Sequence, residues 1–169
     1  MSEDGIERRR QRGMLKDQRT SYDEEYPGGT DKRFGRFLKA AEENGIELNT
    51  DTKILDVGSG NSAFVKKLEE VGLHPVGIDY RPHDIGKHQV IGEAERLPFA
   101  DGSFDILCSS YAFDNLIYNQ DQSSMVREIE RVLRPGGIYI ASEPFTDVKP
   151  AKLKLVFEDP VESVYKKIN

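Results

Sequence analysis

The chain has 169 residues, 37% of them apolar and 32% charged, with a formal charge of -6. That length suits one domain with a real core, and the acidic balance gives no overall attraction to nucleic acid or membrane. One cysteine, Cys108, excludes an internal disulfide and a multi-cysteine zinc site, and with no membrane-length apolar run and no hydrophobic signal core the expectation is a soluble cytoplasmic protein.

Residues 1–29 read as an N-terminal arm, with a basic cluster at Arg8, Arg9, Arg10 and Arg12 and an acidic run at Asp23, Glu24 and Glu25. A solvated tail and a substrate-binding arm presenting Tyr22 or Tyr26 both stand as readings. Pro27-Gly28-Gly29 marks the boundary to a domain over residues 30–169. Thr30 or Asp31 is expected to cap a helix whose apolar stripe is Phe34, Phe37, Leu38 and Ala41, stopped at Asn44-Gly45.

Ile54, Leu55 and Val57 then make a short buried strand, and Gly58-Ser59-Gly60 turns it sharply. A second helix follows, with Phe64, Val65, Leu68 and Val71 on its buried face. Residues 75–79 read as the next strand, ending in Asp79. The segment Arg81 to Lys87 is short and polar, so a loop or a single turn is expected there. His83, Asp84 and His88 lack the spacing of a helical ligand pair and are read as solvated, so no metal is expected. Strands at 89–92, 104–109 and 138–141 surround an amphipathic helix over 123–133 that buries Met125, Val126, Ile129, Val132 and Leu133, with Pro135-Gly136-Gly137 as its stop. Alternating strands and helices predict a mostly parallel, Rossmann-like α/β sheet with helices on both faces. After Pro144 an edge strand is expected over residues 153–158, residues 161–169 read as a short helix or strand, and a full sixth and seventh strand are not expected both to fit, so the C-terminal strands read as reduced.

Strand, glycine turn and helix form a nucleotide-binding unit, because glycines let backbone approach a ligand and a helix start offers N–H groups. Gly58-x-Gly60-x-x-Ala63 with Asp79 about 20 residues on fits a dinucleotide fingerprint. Asp56 argues against a pyrophosphate and for a cationic ligand, since a carboxylate at the strand's end repels phosphate. S-adenosylmethionine carries a sulfonium, an ammonium and a ribose, and no phosphate.

From Asp56 to Ala63 the chain resembles motif I of the class I S-adenosylmethionine-dependent methyltransferases, and three later segments extend the likeness across residues 50–145. Val76-Gly77-Ile78-Asp79 looks like the motif whose acid accepts both ribose hydroxyls. Glu93-Ala94-Glu95-Arg96-Leu97-Pro98-Phe99 with Asp101-Gly102-Ser103-Phe104-Asp105 is similar to the segment whose acid and next N–H read the adenine edge. Arg131-Val132-Leu133-Arg134-Pro135-Gly136-Gly137 resembles the turn into strand five. The resemblance, closest to the branch that includes quinone-biosynthesis and other small-molecule methyltransferases, implies S-adenosylmethionine as cofactor. It suggests Asp56, Gly58, Ser59, Gly60, Asp79, Tyr80, Glu93, Ala94 and Ser109 as cofactor-binding residues.

The departures are Ser62 for the third glycine, Glu93 for the usual Asp, and the absence of substrate-binding insertions. Leu97, Pro98 and Phe99 are expected to pack, Asp105 to support its strand, and Cys108 to be inert core. Tyr111, Asp114 and Asn115 lie near the expected cleft mouth, and none is assigned as a general base. The expected acceptor is a small molecule, with a macromolecular acceptor or protein partner as the other possibility and no nucleic-acid signature. A degenerate module that pairs with an active partner and an NAD-dependent enzyme stand as the rival readings.

Overall fold

A computed structural model describes residues 28–80, 87–110, 112, 122–142 and 148–169. The arm up to residue 27, the segment 81–86 with His83 and Asp84, and the cleft-mouth residues Tyr111, Asp114 and Asn115 lie outside the described residues.

Helix α1 (Gly29–Glu43) precedes strand β1 (Ile54–Val57), helix α2 (Ala63–Glu70) and strands β2 (Pro75–Asp79), β3 (Gln89–Ile91) and β4 (Phe104–Ser109). Helix α3 (Gln122–Val132) leads into β5 (Leu133–Ala141), and β6 (Leu153–Glu158) and β7 (Ser163–Lys167) close the chain. The strands form one sheet in the order β3-β2-β1-β4-β5-β7-β6. The first five are mutually parallel, and β7 runs antiparallel between β5 and β6. β1 shows no polar alternation because of its place: all four residues, the charged Asp56 included, are buried between parallel neighbours and beneath helices on both faces.

One core lies between the sheet and α3, where Met125, Val126, Ile129 and Val132 meet Leu55, Val57, Leu107 and Tyr139. The other lies under α1 and α2, where Phe37, Phe64 and Leu68 meet Ile54, Ile106, Cys108 and Ile138. Chain order reverses between β1 and β4, so the crevice outside the carboxyl ends of these strands is where such sheets take ligands.

Several expectations need correction. Neither Thr30 nor Asp31 caps α1: the helix starts at Gly29, with Gly28 left-handed (φ 70°) at the N-cap and no side-chain cap bond. Its buried stripe is Phe37, Ala40 and Ala41, while Leu38 is exposed, because Phe37 turns toward Phe64 of α2 in an edge-on contact at 5.7 Å. Val71 is exposed too, since α2 ends at Glu70 and Val71 is its C-cap. Pro135-Gly136-Gly137 does not separate helix from strand. β5 begins at Leu133, and its register against β4 slips between Phe104 and Ile106.

The largest difference is at the C-terminus, where residues 163–167 are a strand and the sixth and seventh strands both fit. An antiparallel pair needs only a tight turn, not a helical crossover. Asp159 makes that turn, its Oδ1 accepting the N–H groups of Val161 and Glu162, both at 2.8 Å. The chain then returns as β7, which pairs with β5 and β6 at once.

Candidate functional site

The glycine turn after β1 is stitched to β2 by its own backbone. Gly58 and Ser59 both donate N–H groups to the Ile78 carbonyl, at 2.8 and 3.1 Å. Gly60 donates its N–H to Asp79 Oδ2 at 3.0 Å, which makes turn and carboxylate one unit at the strands' carboxyl ends. Gly58 is left-handed (φ 73°), and a β-carbon there would stand 2.9 Å from Cβ of Ala112. A β-carbon on Gly60 (φ 52°) would instead meet none of the described residues within 4 Å, so among them this side of the turn is open. Tyr80 follows Asp79 and is half exposed, whereas Ser59 is buried with its Oγ accepting from the Gln89 amide at 3.0 Å.

Asp56 does not offer a bare carboxylate to a cationic ligand, as the sequence suggested. It is 1% exposed and paired with Arg33 of α1, whose two terminal nitrogens donate to its two oxygens. Burial pushes the Asp56 carboxyl above its ordinary range, and the adjacent Arg33 pulls against that. The guanidinium also lies 3.9 Å from the centre of the Phe64 ring. Sequence reasoning missed Arg33. A signal existed: it precedes Phe37 by four residues and so shares the buried face of α1, where a lone charge requires a partner.

On the far side of Asp79, its backbone carbonyl accepts the N–H of Gly92 at 3.1 Å and leads into the segment after β3. Glu93 is exposed and closes a small backbone bridge with Arg96. Ala94 is half-buried and packs on the core beneath α3, as does Phe99, while Leu97 is fully part of it. A clamp from α3 holds the segment. Glu128 accepts the Leu97 N–H at 2.7 Å, and Arg131 donates to the carbonyls of Leu97 (2.8 Å) and Phe99 (2.7 Å) and to Asp101 (2.8 Å). Arg131 also pairs with Glu128 itself.

Ser109 sits at the end of β4 beside Val57, yet its hydroxyl shares a 2.6 Å hydrogen bond with Tyr139, in the core under α3. That hydroxyl is therefore engaged within the sheet's own core rather than presented at the strand's end. Asp105 supports its strand as expected, accepting the Lys53 N–H at 2.7 Å and pairing with Arg134. Cys108 is buried, and burial pushes its thiol far above its ordinary range. Among the described residues no group of three potential ligands could hold a metal, and no helix is long and apolar enough to cross a membrane.

Comparison with known proteins fits this geometry. A family profile described as a methyltransferase domain matches residues 55–141, just over half of the chain. A demethylmenaquinone methyltransferase of Mycolicibacterium vanbaalenii is 34% identical over 116 residues, which cover 64% of this chain and 49% of the relative. Its counterpart in Mycobacterium marinum is 31% identical over 119 residues, covering 67% of this chain and 50% of the relative. The chain thus spans about half the length of the curated relatives it matches. Among solved structures, the YcgJ protein of Bacillus subtilis is similar with a TM-score of 0.54 at 25% identity, over 66% of this chain and 50% of that one. A TehB-like SAM-dependent methyltransferase of Corynebacterium glutamicum has a TM-score of 0.56 at 16% identity, over 83% of this chain and 99% of that one, a likeness of fold alone.

Proposed function

The chain belongs to the class I S-adenosylmethionine-dependent methyltransferases, and from that premise we propose that it binds S-adenosylmethionine at the glycine turn and methylates a small molecule. The observation that carries this reading is the bond from Gly60 N–H to Asp79, which ties a left-handed glycine turn to a carboxylate at the end of the neighbouring strand. The residues present fit the group. Gly60 puts no side chain of its own beside the turn, and Asp79 offers an acceptor next to it.

When bound, S-adenosylmethionine supplies an electrophilic methyl on a sulfonium. In this proposal Asp79 accepts the ribose hydroxyls, and Glu93 with the Ala94 N–H reads the adenine edge. The turn Gly58-Ser59-Gly60 approaches the ligand through backbone. Tyr80, half exposed beside Asp79, flanks the nucleoside. Asp56 acts indirectly: paired with Arg33, it anchors α1 against β1 behind the turn. Ser109 closes the site from behind through Tyr139. Holding donor and acceptor in line can account for much of the catalysis, and no general base is assigned.

The small-molecule class of acceptor is supported by relatives named for methylating demethylmenaquinone; the compound itself is not carried over. Calorimetry with S-adenosylhomocysteine and with NAD tests the cofactor, and tighter NAD binding would overturn the proposal. Labelled S-adenosylmethionine with cell extract then identifies the acceptor by what becomes labelled.

A second reading, a cofactor-binding module that works through a protein partner, is favoured by one observation. Edge strand β6 exposes Leu155, Val156 and Phe157, an apolar surface of the kind partners cover. Methyl transfer by the isolated chain would exclude it.

A further inference from the structure

Ser62, at the N-cap of α2, is the only non-glycine with a positive φ (64°) among the described residues. A glycine would hold this left-handed conformation without cost, whereas a β-carbon is crowded there. The Ser62 side chain makes no capping bond to its own helix. Its Oγ instead accepts a hydrogen bond from Nε2 of Gln89, and the same amide nitrogen reaches Ser59 Oγ at 3.0 Å.

Gln89 belongs to the edge strand β3, with β2 lying between it and β1. Its side chain reaches the turn by passing Gly77, its register partner on β2. A β-carbon on Gly77 would stand 2.8 Å from Nε2 of Gln89 and 2.8 Å from Ser59 Oγ. One amide, passing over a strand that is bare at that point, thus ties together both hydroxyls of the ligand turn.

We propose that Gln89 is a positioning residue that holds Ser62 in its left-handed conformation and so keeps the Gly58-Ser59-Gly60 turn in its ligand-binding shape. The bond stands in for the conformational freedom of a glycine. This inference rests on the reading that the turn binds S-adenosylmethionine. Ser62 sits two residues beyond Gly60, and its own N–H donates to the Ser59 carbonyl at 2.8 Å, so a change at Ser62 reaches the turn through one hydrogen bond.

Four variants of the full chain test it by titration with S-adenosylhomocysteine. Gln89→Leu keeps the volume and removes the donor, and Ser62→Ala removes the acceptor while leaving the backbone crowded. Each should weaken binding by about tenfold, the scale of one hydrogen bond. Ser62→Gly should bind like the parent, and adding Gln89→Leu to it should change affinity by less than about twofold. Equal losses from Gln89→Leu in both backgrounds, or no loss in the parent, would overturn the inference. Amide hydrogen exchange of residues 59–63 in the ligand-free protein gives a readout independent of the cofactor. Exchange should rise in Gln89→Leu and in Ser62→Ala, and Gln89→Leu should cause no such rise in the Ser62→Gly background. A parent that binds no S-adenosylhomocysteine sinks the methyltransferase reading, and unchanged exchange in Gln89→Leu sinks the positioning role.

Discussion

The Arg33 guanidinium on α1 holds both oxygens of Asp56 in β1, so the acid two residues before the glycine turn is already paired from within the fold. This pair fastens α1 to the sheet beneath the Phe37–Phe64 contact. A buried pair gains little over apolar residues of similar volume, yet loses much when one partner goes. Arg33→Met should therefore cost about 3–5 kcal/mol by leaving Asp56 without its charge partner. The double variant Arg33→Met/Asp56→Leu should recover most of that loss. Urea unfolding measures both, and equal destabilisation by the single and double variants would show that the pair is not the source.

Asp79 and Gly60 predict a separation of binding from folding. Asp79→Ala removes an acceptor of the Gly60 N–H at a half-buried position, not a core contact. A carboxylate receiving two ribose hydroxyls makes bonds of about 1.5–3 kcal/mol each, part of which returns as hydration. Affinity for S-adenosylhomocysteine should fall by about 10- to 100-fold while the melting temperature changes little. A drop in melting temperature with affinity unchanged would make Asp79 structural. Gly58→Ala should instead lower the melting temperature together with the affinity, because its β-carbon would meet Ala112 at 2.9 Å in a left-handed backbone.

The Glu128–Arg131 clamp predicts a pH dependence. The hydrogen bond from Arg131, and after it the Leu97 N–H, hold the Glu128 carboxyl below its ordinary value of 4.5, with partial burial opposing. A carboxyl depressed in the folded state contributes stability that is complete above its unfolded value and lost as pH falls through the folded one. Acidification below about 4.5 should thus weaken the hold on residues 97–101. Glu128→Gln should be less stable at neutral pH by about 1 kcal/mol and should lose less on acidification. Parallel pH profiles for parent and variant would rule the clamp out as a source of acid sensitivity.

Local features were the legible ones. The bounds of β2 and β4 follow from short apolar runs ended by Asp79 and Ser109, and the glycine turn from residues adjacent in the chain. Contacts across the sheet were not legible, because the partners lie far apart in sequence. Arg33 reaches Asp56 over 23 residues, Arg131 reaches Phe99 over 32, and Gln89 reaches Ser62 over 27. Asp56 suggested the methyltransferase family, to which the chain belongs, by a step the fold does not support, since Arg33 answers that charge. That both C-terminal strands fit was not legible because the economy lies in Asp159, whose side chain closes a four-residue turn.

Cys108 makes the fold report on its ligand. It lies in β4, directly opposite Asp56 of β1, is 2% exposed, and its burial disfavours the reactive thiolate. A reagent can reach it only when the sheet opens, so labelling should track the open population rather than native exposure. For a domain of ordinary stability that slows labelling at least about a thousandfold relative to a free thiol. Anything that binds only the folded state lowers the open population by a factor of one plus the ratio of its concentration to its dissociation constant. S-adenosylhomocysteine at about a hundred times its dissociation constant should then slow labelling about a hundredfold, and NAD at the same concentration should not. Arg33→Met should speed labelling in the absence of ligand, since it destabilises the strand facing the thiol. Labelling that is fast, or indifferent to the adenosyl ligand, would mean either that Cys108 is reached through a local opening or that the chain does not bind the ligand. Calorimetry with S-adenosylhomocysteine separates these, and where the ligand protects the parent thiol, Asp79→Ala should cut that protection to about two- to tenfold at the same ligand concentration.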